Sequence, residues 1–191
     1  MSYPAKKISE SGRQLLEKIR AGNKDAFEKL FYSYYHDLCS LAFKVTHCPQ
    51  QARDVVQDVF LNLWNKHSKW NVKVSIKAYL YQAVWNEALN AQAREKRKLS
   101  LKKEFAEISA YEVESEAREF SGNRQRLITE IWNIVANMPE RRKSVFILHR
   151  KHALTYKEIG RVLQISPKTV ENHMGLALTE IREKMDDRHL R

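Results

Sequence analysis

Apolar residues recur along this chain at steps of three and four, the period of helices that bury one face. A stripe runs from Phe27 through Leu30, Phe31, Tyr34, Leu38, Leu41, Ala42 and Val45. Asn23 stands where a capping side chain would open it, so the spacing predicts a helix that ends near Thr46. Pro49, suited to a first helical turn, opens a second helix with Ala52, Val55, Val56, Val59, Phe60 and Leu63 inward, while Asp54, Gln57, Asp58 and Asn62 fall off the stripe. A polar loop follows, from His67 to Val74. Ser75 caps a third helix, with Ile76, Tyr79, Leu80, Ala83 and Val84 on one side and Lys77, Tyr81, Trp85 and Asn86 leaning elsewhere; it runs out in Arg94-Glu95-Lys96-Arg97-Lys98.

The second half repeats the helical period with shorter elements. Leu127 to Met138 forms one helix, and Pro139 starts another that reaches about Lys151, with Val145, Phe146 and Leu148 inward and Arg141, Arg142 and Lys143 outward. Thr155 and Glu158 make a capping box for a short helix that turns Ile159, Val162 and Leu163 inward. Gln164, Ile165 and Ser166 form a turn, after which Ser166 caps a helix with Pro167 in its first position and Val170, Leu178 and Ile181 inward. A short helix, a three-residue turn and a second helix with a polar outer face are the parts of a helix-turn-helix. Gly160 sits where the two helices cross closely, and Gln164 takes the turn position where Gly commonly supplies a positive φ, at a cost of about 1 kcal/mol.

Composition supports helices and excludes several alternatives. Among 191 residues there are five Gly and four Pro, too few for the turns of a sandwich or barrel, while 43% apolar content suffices for buried cores. The fold class expected is all-α: two small helical domains joined by a flexible acidic linker, the C-terminal one holding the helix-turn-helix. The boundaries expected are residues 10–98, a linker over 99–124 and a second domain over 125–188. No segment approaches 18 uninterrupted apolar residues and the first residues lack the apolar core of a secretory signal, so a cytoplasmic protein is expected. Two cysteines, Cys39 and Cys48, fit a reducing compartment.

Charge changes the picture once it is mapped. The chain has 34 Lys and Arg against 23 Asp and Glu, a net of +11. Residues 1–98 carry 17 basic against 9 acidic groups, 99–138 carry 5 against 7, and 139–191 carry 12 against 7. Two basic blocks flank an acidic middle, where Glu104 to Glu119 holds six Glu and one basic residue. Basic blocks attract a polyanion. In the first block, Tyr79, Tyr81 and Trp85 stand among basic groups and cannot all face one core; such rings stack on unpaired bases while cations neutralise phosphates. In the second block, Ser166, Lys168, Thr169, Glu171, Asn172 and His173 lie at the start of the second helix of the helix-turn-helix, the end that enters a major groove. Asn172 is suited to adenine, Glu171 to the amino group of cytosine, and Lys168 to guanine or a phosphate.

Together the two blocks resemble bacterial RNA polymerase sigma factors of the extracytoplasmic-function class, over nearly the whole chain. ARDVVQDVFLNLW, from Ala52 to Trp64, resembles the helix that docks on the clamp helices of the polymerase's largest subunit. SIKAYLYQAVWNEALNAQAREKR, from Ser75 to Arg97, resembles the helix that engages the −10 element. MPERRKSVFILHR and LTYKEIGRVLQISPKTVENHMGLALTEIREKM resemble the domain that reads the −35 element. The resemblance implies polymerase contact by Asp54, Gln57, Asp58, Phe60 and Trp64. It implies −10 contact by Lys66, Lys69, Trp70, Lys73, Lys77, Tyr81, Trp85, Asn86 and Arg94, the loop from Lys66 to Val74 forming a pocket for a flipped base of the non-template strand. Trp85 replaces a residue that is often Arg in the family, and Asn90 a frequent Asp. The N-terminal helix and SPKTVENHM resemble the variant common in Bacteroidetes, paired with membrane-bound anti-sigma proteins. The partners implied are core RNA polymerase, promoter DNA and an anti-sigma factor, with no cofactor and no small-molecule substrate.

Two other classes compete. ISPKTVENHM also resembles the C-terminal domain of LuxR-type regulators, but the chain has no receiver or ligand-binding α/β domain to go with it. His36, Cys39, His47 and Cys48 could assemble a zinc site, although their spacing is not that of a known finger. No Gly-rich phosphate loop, no nucleophile-base arrangement and no paired carboxylates point to catalysis, so no enzymatic activity and no metal are expected.

Overall fold

The computed structural model describes residues 10–72, 75–102 and 123–189. Among them are eight α-helices, one 3₁₀ turn and no strand. They group into two compact units, the first built on the helices that precede the acidic segment and the second on those that follow it.

The first unit opens with α1, Glu10–Arg20, which the apolar pattern did not single out. Only Leu16 and Ile19 of α1 are buried, too few positions to establish a period. Gly22, at φ +80°, turns the chain into α2, Lys24–Thr46. Asn23 caps α2 as expected: its Oδ1 accepts from the Ala26 amide at 2.8 Å. α3, Pro49–Asn65, buries all six residues assigned to its stripe. A 3₁₀ turn, His67–Lys69, leads on to α4, Ile76–Lys102, which Ser75 caps by accepting from the Ala78 amide at 3.0 Å.

α4 departs from the expected face. Ile76, Leu80 and Val84 are buried, but so are Ala78, Tyr81, Ala88 and Ala91, whereas Tyr79 and Ala83 are half-buried. The cause is that α4 packs on both α2 and α3, so its buried arc is wider than a single stripe. α4 also continues to Lys102, into the stretch assigned to the linker. The acidic run from Glu104 to Glu119 lies outside the described residues.

The helices after the acidic segment are α5, Asn123–Ala136, α6, Glu140–Arg150, α7, Tyr156–Val162, and α8, Pro167–His189. Val145, Phe146, Ile147 and Leu148 of α6 are buried, and α6 and α5 both pack on α8. The inward stripe of α8 is Val170, Met174 and Ala177; Leu178, expected inside, is 38% exposed, and Ile181 is half-buried. Arg142, expected outward, turns toward α8, where its Nη1 donates to Glu180 Oε2 at 2.6 Å. Lys184 donates to the other carboxylate oxygen at 2.7 Å.

Those donors, Lys184 first, hold the Glu180 carboxyl below its ordinary range against the opposing effect of partial burial. A carboxyl depressed in the folded state stabilises it above the unfolded value of about 4.3, and that contribution is lost as pH falls through the folded value. Glu180→Gln is therefore expected to lower the thermal midpoint of the second unit at neutral pH, with the difference from the parent shrinking below about pH 4, as followed by circular dichroism.

Among the described residues no helix is long and apolar enough to cross a membrane. No group of three or more His, Cys, Asp or Glu there is placed to hold a metal ion. Cys39 and Cys48 are free, and burial pushes the Cys39 thiol up.

Candidate nucleic-acid interface

The end of α3, the 3₁₀ turn and the first half of α4 enclose an open cavity of about 480 Å³. α3 contributes Val59, Asn62 and Leu63, with Lys66 following, and α4 contributes Tyr79, Ala83, Asn86 and Glu87. Each set is spaced by three and four residues, so two helical ridges face each other across the opening. Val59 and Leu63 are buried, whereas Asn62, Lys66, Lys69 and Asn71 are exposed. The cavity thus offers apolar surface, two aromatic rings and three side-chain amides, with two lysines beside them. Those are the groups that hold a base and neutralise its phosphates.

Local hydrogen bonds build the wall. The amides of Lys69 and Trp70 donate to the carbonyls of Lys66 and His67 at 3.0 and 3.1 Å. The His67 ring stacks on Trp64, centroids 4.9 Å apart and planes 20° from parallel, with Nδ1 2.6 Å from the Trp64 carbonyl oxygen. Trp70 then turns inward and meets Tyr79 edge-on at 5.6 Å.

Of the residues expected to touch the −10 element, Lys66, Lys69, Trp70 and Asn86 meet at this cavity. Lys77, Tyr81, Trp85 and Arg94 do not line it, and Lys73 lies outside the described residues. The Lys77 ammonium sits 5.8 Å from the centre of the Tyr81 ring. Arg94 pairs with Glu87 at 2.7 Å, holding that carboxylate at the rim. Asn62, Asn71 and Glu87 were not named individually as contacts; Asn62 and Glu87 follow in sequence from the two ridge spacings, and Asn71 lies in the loop from Lys66 to Val74 that the resemblance assigns to the pocket.

Three aromatic residues to which the resemblance gives contact roles are core, Phe60 as its place in the apolar stripe predicts and Tyr81 and Trp70 against expectation. Tyr81 is fully buried between α4 and α2, its hydroxyl donating to Asp37 at 3.5 Å; burial first, then the Asp37 charge, pushes its phenol up and keeps it neutral. Phe60 is 3% exposed because the rings of Phe27 and Phe31 meet it edge-on at 5.9 and 4.9 Å. Trp70 is also 3% exposed, filling the space beside Tyr79.

On the opposite side of α3 from its buried stripe, Asp54, Gln57 and Asp58 are exposed, and Trp64 is half-buried against Phe27. Leu61, 59% exposed, extends the ridge of Asp54, Gln57 and Asp58 by the same helical spacing. An apolar side chain thus stands exposed in a row with two carboxylates and an amide, which charge patterning alone does not reveal.

In the second unit the helix-turn-helix forms as expected. The Thr155 amide donates to Glu158 Oε2 at 2.9 Å, and the Glu158 amide returns to Thr155 Oγ1 at 3.3 Å, completing the capping box. Gln164 does adopt positive φ, +55°. Ser166 Oγ accepts from the Thr169 amide at 3.0 Å and lies 2.8 Å from Thr169 Oγ1, so these two hydroxyls hold the start of α8. Glu171 and Asn172 project outward, and Lys168 pairs with Glu171 at 2.9 Å across exposed surface. An exposed pair of this kind is weak and yields readily to DNA. His173 is half-buried beside them.

Residues 30–98 match the model of sigma-70 region 2, and residues 128–181 match that of sigma-70 region 4. The chain belongs to the sigma-70 family. The cavity and the α3 ridge fall in region 2 of this sigma factor, and the helix-turn-helix in region 4. It is 25% identical over 185 residues to the RNA polymerase sigma-H factor of Pseudomonas aeruginosa, covering 93% of each chain. It is 23% identical over 178 residues to the ECF RNA polymerase sigma-E factor of Escherichia coli, covering 90% of this chain and 92% of that one. The fold is shared with CnrH, solved in complex with the cytosolic domain of CnrY: the TM-score is 0.62 at 19% identity, over 93% of this chain and 99% of CnrH. RpoE of Bartonella quintana, solved with the anti-sigma factor NepR, gives 0.61 at 17% identity over 84% of this chain and 96% of that one.

Proposed function

We propose that this sigma factor directs core RNA polymerase to promoters by dividing the work between its units: the first docks on polymerase and captures a −10 base, and the second reads the −35 duplex. The observation that carries the reading is the α3–α4 cavity, which gathers Lys66, Lys69 and Asn86 around a space large enough for a nucleobase. Disrupting DNA stacking costs about 1.4 kcal/mol per step, so a protein that traps an extruded base biases melting without ATP hydrolysis. Contact with strand backbone or neighbouring bases falls to Arg94, paired with Glu87 at the rim, and to Lys77 and Trp85 on another face of α4. Ser166, Lys168, Thr169, Glu171, Asn172 and His173 serve the −35 element.

Asp54, Gln57, Asp58 and Leu61 form the polymerase-docking ridge, with Trp64 at its end. Asp54→Asn with Asp58→Asn is expected to weaken core binding about tenfold while leaving the binding of −35 duplex unchanged; a fluorescence titration of labelled sigma with core checks it. Equal loss of both activities would assign the carboxylates to folding instead.

The class proposed is the extracytoplasmic-function class, of the Bacteroidetes type that SPKTVENHM resembles, acting in the cytoplasm and held inactive by a membrane-bound anti-sigma factor. Support comes from the solved relatives, each bound to a partner chain: CnrH to CnrY and RpoE to the anti-sigma factor NepR. The domains proposed are 10–98 and 125–188 with the acidic 99–124 between them, α4 continuing past the first bound to Lys102 and α5 starting before the second at Asn123.

The reading is tested by holoenzyme binding to fork-junction DNA carrying each of the four bases at the captured position. Asn86→Ala is expected to flatten the preference among them; an unaltered preference would remove the cavity from base capture.

A further inference from the structure

We propose that Arg20 of α1 is a positioning residue for base capture, holding the wall of the α3–α4 cavity in its receptive shape; this rests on the cavity being the base site. α1 contributes no residue to the lining of the cavity, yet it packs against the 3₁₀ turn that forms one wall. Its last side chain reaches across that turn: Arg20 Nε donates to the backbone carbonyl of Trp70 at 2.7 Å, fifty residues away in sequence. The turn is thereby held at both ends. Its entry is fixed by the Trp64–His67 stack, and its exit by Arg20 at the point where the chain continues to Asn71 and the cavity rim.

The corner between α1 and α2 is shaped for this approach. Gly22, at φ +80°, reverses the chain beside His67, where a β-carbon would stand in ordinary contact, 3.6 Å from His67 Nε2. Buried Ile19 and Leu16 anchor the remainder of α1 independently of Arg20, so the docking of α1 and the grip on Trp70 are separable. A guanidinium bonded to a carbonyl is a charge-assisted contact, stronger than a neutral one, and its planar donors keep a direction that an ammonium does not. Trp70 is a buried residue held by packing against Tyr79, and its indole N–H has no hydrogen-bond partner to fix it further. The Arg20 contact to its carbonyl supplies a fixed point instead.

The test uses holoenzyme and fork-junction DNA with each of the four bases at the captured non-template position, read as the ratio of dissociation constants between the preferred base and the others. A ratio is insensitive to the fraction of folded protein, because partial unfolding weakens binding to all four probes equally. Arg20→Ala is expected to reduce the ratio about fivefold, the size of one missing hydrogen bond, with −35 duplex binding unchanged. An unaltered ratio overturns the proposal, as does a uniform loss across the four probes. Asn86→Ala separates this from the base-capture reading: if it flattens the preference and Arg20→Ala does not, only the positioning role fails, whereas an unaltered ratio in both sinks the capture site itself. If Arg20→Ala does not fold, Arg20→Lys decides, since it keeps the charge and the aliphatic stem; a ratio below the parent's supports the proposal and the parent's own ratio overturns it.

Discussion

Gly160→Ala is expected to open the helix-turn-helix and abolish −35 binding under conditions where the parent binds. A β-carbon on Gly160 would stand 2.7 Å from the Ile165 carbonyl oxygen, well inside contact distance. That oxygen belongs to backbone, and the Ile165 amide is itself bonded to the Gly160 carbonyl at 2.8 Å, so no side chain can rotate away to make room. The turn must widen, and widening it moves the start of α8, where Ser166, Glu171 and Asn172 are placed. Forcing one methyl into such a site costs about 1–3 kcal/mol. For a unit of this size that lowers the thermal midpoint by several degrees or more. Differential scanning calorimetry should show the shift, and duplex titration the loss of −35 binding. Core binding, assigned to the first unit, should survive.

The second large effect is on specificity. Glu171→Ala with Asn172→Ala removes the two exposed side chains on α8 best suited to base edges. Deleting each base-reading side chain is expected to cost about 1–3 kcal/mol on the preferred −35 sequence and little on others, so preference should flatten while non-specific, salt-dependent binding persists. Removing Glu171 also releases Lys168 from its pair, which should raise phosphate attraction slightly and make the loss of discrimination clearer than the loss of affinity. Competition between −35 duplex variants measures this, and retention of the parent preference would place base reading elsewhere.

Several features of the fold were legible because they depend on local chemistry. The caps at Asn23, Ser75, Thr155 and Ser166 form the bonds their residue types imply, and the inward stripe of α3 was read correctly at every position. Gln164 adopts the left-handed conformation its place in the turn requires. Errors arose where tertiary packing widens or rotates a buried face. Tyr81 looked available for contact, yet α4 is wedged between two helices. Arg142 looked like an outward charge, but a carboxylate 38 residues away turns it inward. α1 was missed because two buried side chains make no period, and the contact between Arg20 and Trp70 has no sequence signal at all.

The candidate site was half legible for the same reason. Lys66, Lys69 and Asn86 were named from resemblance, but their convergence depends on how the 3₁₀ turn brings α3 and α4 together. Leu61 was invisible to charge patterning, although it shares the helical spacing of Asp54 and Asp58.

Transcription reconstituted with core RNA polymerase and a promoter library is the decisive measurement. Initiation above core alone is expected, from promoters sharing one −35 and one −10 sequence, with the −35 preference relaxed by the Glu171 and Asn172 substitutions and the −10 preference flattened by Asn86→Ala. Initiation no greater than that of core polymerase alone, from any member of the library, would contradict the proposed function.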